Sequence, residues 1–204
     1  MFSSNLTGGP AWHWQAWRSQ KTWAPTIEAL ESWLLTQKQE TPNSELLLIG
    51  ASAGWMMSSA WLCQFKTVRT YDIDPLAARL FKWRHGRKLQ VHGVQLECHT
   101  QNALSDLPAL LHAHPEACIF FDNVLGQLRF NTFDIHQVEK NIASIVQSLK
   151  GREWGSVHDR MSGPIDVDML NDSTLNQKCP QTLGQLNNHE AQKWLTSLHA
   201  QSPW

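Results

Sequence analysis

The chain has 204 residues, 42% hydrophobic and only 17% charged, with Lys+Arg 17 against Asp+Glu 18 for a formal net charge of -1. That length suits one domain with a sizeable buried core, and the charged share is low beside the roughly 25% of an average domain. The balance excludes a broad electrostatic footprint for DNA or RNA and a polybasic membrane-surface protein. Cys63, Cys98, Cys118 and Cys179 lie far apart with no CxxC. This argues against a disulfide framework or structural zinc, and for reduced thiols in a cytoplasmic protein.

The N-terminal MFSSNLTGGPAWHW lacks the basic stretch and apolar run of a signal peptide. Its Trp12, Trp14 and Trp17 stand outside the rhythm that follows, so residues 1–43 are expected to form a Trp-rich helical cap or lid. Pro25 is expected in the first turn of a helix whose apolar face carries Ile27, Leu30 and Leu34. QKQETPNS reads as a linker, and residues 44–204 as the main domain.

Leu46 to Ile49 is an apolar run, as in a strand buried on both faces. The uncharged stretch from Leu46 to Phe65 has the length of a membrane span, but its serines, glycines and Gln64 favour strand, turn and buried helix. The helix is expected from Trp55 to Phe65. Val68 to Tyr71 is a second strand. Asp74 and Pro75 open a helix with Leu76, Leu80 and Trp83 on one face, ended by Gly86.

Val94 to Cys98 is a third strand, Ser105 to His112 a short helix, and Ala117 to Phe121 a fourth strand. A helix near Thr132 to Lys150 turns Val138, Ile142, Ile145 and Leu149 inward and stops at Gly151. A fifth strand spans Trp154 to His158. Residues 160–186 hold turn formers, and a last helix starts near Asn187 with Glu190 completing a capping box. Strands alternating with helices predict an α/β fold with a parallel sheet.

Ligands of open α/β sheets bind at the carboxyl ends of the strands. The first strand ends in Gly50-Ala51-Ser52-Ala53-Gly54-Trp55. Glycines there let a ligand approach the backbone, and a helix following at once would offer its positive end. The dinucleotide fingerprint GxGxxG fails at Ser52 and Trp55, and no GK[ST] makes a P-loop. GxSxG also resembles a hydrolase nucleophile elbow, which would make Ser52 a nucleophile with His158 as base. Its place on the first strand of a short chain weighs against that. Asp72 ends the second strand, where a carboxylate can accept hydrogen bonds from a ribose diol. Asp74 is explained as a helix cap. There is no HExxH and no histidine cluster with ligand spacing, so no metal site is expected.

In order, LLLIGASAGW, TYDIDP, HTQNALSDL and CIFFDNVLGQL resemble the successive motifs of class I, Rossmann-like S-adenosylmethionine-dependent methyltransferases, over about residues 44–160. The resemblance implies a doubly wound, mostly parallel sheet of order 3-2-1-4-5. It implies that Gly50, Ala51, Ser52, Gly54 and Trp55 surround the methionine part of the cofactor. Asp72 and Ile73 would border the ribose, Asn102 and Ala103 the adenine, and Asp122 and Asn123 the transferable methyl. Three positions depart from the pattern: Ser52 replaces the middle glycine, the first strand carries no acid before the loop, and Asn102 replaces the adenine-side acid. The family's C-terminal antiparallel hairpin has no candidates, which implies a shortened sheet or a truncated chain.

His158 and Asp159 follow the fifth strand and are expected at the ligand edge. His158 is a candidate base beside Asp122 and Asn123, and Asp159, His13 and Trp14 are candidates for the acceptor pocket. The expected activity is methyl transfer to a small-molecule acceptor, with no nucleic-acid or membrane partner. The alternative is a non-catalytic S-adenosylmethionine-binding or interaction module of the same fold.

Overall fold

The computed structural model describes residues 9–36, 45–128 and 134–157. Its centre is a five-stranded parallel sheet of order β3-β2-β1-β4-β5. The strands are β1 (Glu45–Ile49), β2 (Thr67–Asp72), β3 (Gln95–Thr100), β4 (Cys118–Asp122) and β5 (Trp154–Val157). The order reverses between β1 and β4, so a switch point opens above the carboxyl ends of those two strands.

β1 and β4 are central, and their apolar runs are buried because both faces are covered. On one face Leu46, Leu48, Val68 and Phe120 pack with Trp61, Phe81 and Leu89. On the other, Leu47, Ile49, Ile119 and Phe121 pack with Leu107, Leu111 and Leu149. Alternation along each strand sends successive side chains to opposite layers. α8 (Ile135–Ser148) is started by Asp134, whose carboxylate accepts from the N–H of His136 at 3.0 Å. Val138, Ile142 and Ile145 are half-buried along one side of it, and Leu149 beyond its end is buried.

The N-terminal segment differs from expectation. It forms α1 (Gly9–Arg18) and α2 (Gln20–Thr36), and Pro25 lies inside α2 rather than in its first turn. The cause is continuity. Ser19 N–H donates to Gln15 O and Trp23 N–H to Ser19 O, both at 2.9 Å, so helical bonding runs across the junction. Leu34 of α2 enters the same core as Leu46 and Leu48.

Two further helices depart from the sequence reading. Only α3 (Ser59–Leu62) forms within the expected helix from Trp55 to Phe65. The chain turns first, with Gly54 N–H bonded to Ala51 O and Met57 N–H to Gly54 O, and the Ser58 hydroxyl then caps Trp61 N–H. The helix expected to stop at Gly86 does not stop. α4 (Ala77–Phe81) passes through a π-helical turn, Lys82–Gly86, into α5 (Arg87–Val91), and Gly93 at φ +71° makes the exit. α6 (Leu107–Ala113) and α7 (Val124–Gln127) complete the described elements. The turn-rich stretch 160–186 and the helix near Asn187 lie outside the described residues.

Candidate cofactor site

The loop after β1 is shaped by what presses on it. Gly50 has φ +75°, and a Cβ there would stand 2.8 Å from Asp122 O and 2.9 Å from Val124 Cβ. Gly54 has φ +63°, and its Cβ would stand 2.6 Å from His85 Nε2 and 2.8 Å from Phe81 Cε2. Each glycine is thus required twice, by backbone sign and by close approach. Ser52, where the methyltransferase pattern has glycine, also adopts a positive φ of 47°. Asn123, just past β4, has φ 57°, a region asparagine tolerates better than most residues.

The backbone N–H groups of this loop are largely spent inside the protein. Gly50 and Ala51 donate to Tyr71 O, and Gly54 donates to Ala51 O. Ser52 N–H donates to Asp72 Oδ2 at 2.6 Å. α3 begins only at Ser59 and Ser58 caps it, so the positive helix end expected behind the loop is missing there. An anion cradle needs free N–H groups at a helix start; this loop is instead fastened to the end of β2.

Asp72 is the fastening point. Its second oxygen accepts from Asp74 N–H at 2.8 Å. Burial raises its pKa above the ordinary carboxylate value, the two backbone N–H groups pull it back, and the negative Asp74 raises it again. Each carboxylate oxygen keeps a lone pair, so a ribose diol can still be accepted.

Asp74 is not the N-cap of α4, which starts two residues later than expected with Leu76 as its N-cap and no side-chain cap bond. One Asp74 oxygen accepts from Leu76 N–H at 2.9 Å, closing the turn before the helix, and the other accepts from Gly9 N–H at 2.6 Å and from His13 Nε2 at 3.1 Å. Trp55 Nε1–H donates to His13 Nδ1 at 3.1 Å. An indole N–H only donates, so the His13 proton sits on Nε2, facing Asp74. Trp12 Nε1–H reaches Ser52 Oγ at 3.4 Å. α1 is therefore bound to the ends of β1 and β2.

His85 braces the loop from behind. Its Nε2 lies 3.2 Å from Gly54 O and its Nδ1 2.8 Å from Ser59 Oγ. Burial, with Arg84 beside it, lowers its pKa to about 4, so the ring is neutral. The π-helical turn aims this side chain inward. No motif in the sequence marks it.

A cleft of about 710 Å³ opens at the switch point. Of the residues expected around a cofactor, Gly50, Ser52, Trp55 and Asp72 line it, as do Ile73, Asn102, Ala103, Asp122 and Asn123. Ala51 and Gly54 are buried beside it and shape the loop. Asn102 uses its side-chain oxygen to accept from Leu104 N–H at 3.1 Å, so the atom expected to meet an adenine amino group also closes a turn.

His13 and Trp14, expected at an acceptor pocket, are not among the residues that line the cleft. His13 is buried in the Asp74–Trp55 chain of hydrogen bonds, and Trp14 is 59% exposed against Trp17 on the outer side of α1. Trp12 and Trp23 face the cleft in their place, together with Met56 and Leu128. Helical periodicity carries part of the missing signal: at 3.6 residues per turn Trp12 and Ala16 fall on one side of α1, and Trp14 falls nearly opposite Ala16. His158 and Asp159 lie outside the described residues. Among the described residues, no cluster of His, Cys, Asp or Glu is placed to hold a metal ion, and no helix is long and apolar enough to cross a membrane.

The sheet order, the glycine turn at the switch point and the acid at the end of β2 define a doubly wound, Rossmann-like α/β protein. Its fold is compatible with a nucleotide-type cofactor. No protein-family model matches the chain, and no curated protein resembles it significantly.

Proposed function

We propose that the protein is an S-adenosylmethionine-dependent methyltransferase acting on a small-molecule acceptor. One observation carries this reading: the N–H groups of Gly50, Ala51, Ser52 and Gly54 are spent on Tyr71, Asp72 and Ala51, while the Asp72 carboxylate lines the cleft. That donor set suits an adenosine ligand lacking phosphate and disfavours a dinucleotide, whose pyrophosphate needs N–H donors.

Asp72 would accept hydrogen bonds from both ribose hydroxyls, with Ile73 covering the sugar. Asn102 and Ala103 would border the adenine. Gly50 and Ser52 would wall the methionine part, and Asp122 and Asn123 would stand where the methyl is exposed. Bound S-adenosylmethionine supplies an electrophilic methyl on a sulfonium. The protein's task is then to exclude water and hold a nucleophile in line with that methyl, the source of most of the catalysis. His158, which follows β5 in the sequence, is the proposed base, and Asp159 is a proposed acceptor contact.

Native mass spectrometry of the full-length chain, purified without added ligand, tests the cofactor reading. The expected result is release of S-adenosylmethionine or S-adenosylhomocysteine on denaturation, with loss of that ligand in Asp72→Ala. A co-purified dinucleotide overturns it.

A further inference from the structure

The cleft walls carry a chemical preference that the cofactor does not exhaust. The charged side chains that line the cleft among the described residues are Asp72, Asp74 and Asp122, all acidic. Asp72 is assigned to the ribose, and Asp74 is committed to α1 and Leu76. No Lys, Arg or His is among the described residues that line the cleft, so no cation of the protein offsets these carboxylates on its walls.

An aromatic pair faces the same space. Trp12 and Trp23 have ring centroids 6.1 Å apart, tilted by 37°. Trp12 is held at Ser52, beside the loop that borders the methionine part of the cofactor. Trp55 is engaged differently, because the Arg84 guanidinium sits 4.2 Å from its ring centroid. The Trp12–Trp23 pair thus supplies aromatic surface on the cleft wall beside the Ser52 loop. Indole faces attract cations, and attract them more strongly when desolvated.

We propose that the acceptor is an organic amine on an aromatic body, without carboxylate or phosphate, and that Trp12 and Trp23 determine this specificity. The inference rests on the methyltransferase reading above. In the reaction the bound ammonium first gives up one proton to solvent, and the freed lone pair then forms the new N–CH3 bond as the C–S bond breaks with its electrons on sulfur. The product leaves as the N-methylammonium. Trp12 and Trp23 meet the ammonium with their ring faces, and the carboxylates add to the preference for a basic end group over an acidic one.

Calorimetry on the full-length chain separates this proposal from the cofactor reading. The chain is first saturated with S-adenosylhomocysteine, then titrated with tryptamine or with indole-3-propionate, which share a ring and differ in end-group charge. Tryptamine is expected to bind about tenfold more tightly, within the range of desolvated cation–π contacts. Trp23→Leu is expected to remove about that factor while leaving the first titration unchanged, and Trp23→Phe to keep most of it. Equal or tighter binding of the carboxylate overturns the proposal, as does absence of tryptamine binding. No heat in the first titration overturns the cofactor reading and this inference with it.

Discussion

His85 and Asp72 titrate away from ordinary values, in directions that give opposite consequences. The unfolded chain protonates its histidines near pH 6.5, whereas buried His85 holds off until about 4. Between those values the unfolded state binds a proton that the native state refuses, so stability falls as pH is lowered through the window. The full effect is on the order of 3 kcal/mol. Urea denaturation between pH 7 and 4.5 is expected to show this slope and His85→Asn to flatten it; equal slopes would contradict the assignment.

Asp72 works the other way for folding. Its raised pKa means that acidification relieves a burial penalty in the native state. For a diol ligand, however, the ionised form is the better acceptor. Affinity for S-adenosylhomocysteine is therefore expected to decline at a higher pH than an ordinary carboxylate would allow. Calorimetry over a pH series checks this, and constant affinity down to about pH 4, the ordinary aspartate value, would contradict it.

At the scale of elements, the contact between the loop and the π-helical turn sets the site's shape. Gly54→Ala places a Cβ 2.6 Å from His85 Nε2 and demands a left-handed backbone at φ +63°. Backbone strain of roughly 1–2 kcal/mol and overpacking together should lower stability by about 2–4 kcal/mol. Chemical denaturation is the check, and a loss under about 1 kcal/mol would show that α4 and α5 yield easily.

The same contact marks the limit of what the sequence discloses. The strands were legible because Leu46–Ile49 and Ala117–Phe121 are continuous apolar runs, and the sheet order was implied by the methyltransferase resemblance of the motifs they carry. Asp72 and the Gly50 turn were legible because strand ends and glycines have local signatures. The π-helical turn has none: Gly86 reads as a stop, yet the helix continues because His85 and Phe81 are buried against the loop. Trp55–Phe65 reads as a helix from its composition, but Ser58 and the Ala51–Gly54 turn use local hydrogen bonds that compete with it. The tryptophans that line the cleft, Trp12 and Trp23, were hidden for a related reason, since choosing among the five tryptophans on α1 and α2 requires knowing that α1 is a helix.

Across the whole molecule, α1 couples the N-terminal helices to the end of the sheet through a short polar chain: Trp55, His13, Asp74 and Gly9 N–H. His13→Ala would leave the Trp55 N–H and one bond of Asp74 without a partner, at a cost of roughly 1–3 kcal/mol. The loss should be local, with faster amide exchange in residues 9–36 and unchanged protection in β1 and β4. Uniform loss across the sheet would show that α1 is part of the cooperative core rather than a cap on it.

In the proposed function, Asp72 and the spent N–H groups of its loop make an adenosine site without a phosphate cradle. Calorimetric titration of S-adenosylhomocysteine into the chain, beside NADH as the dinucleotide competitor, is the decisive test. Saturable one-site binding of S-adenosylhomocysteine is expected, weakened in Asp72→Ala by roughly 1.5–3 kcal/mol, the range for hydrogen bonds to a charged group. NADH is expected to bind much more weakly. Tighter binding of NADH, or equal S-adenosylhomocysteine affinity in wild type and Asp72→Ala, would contradict the proposal.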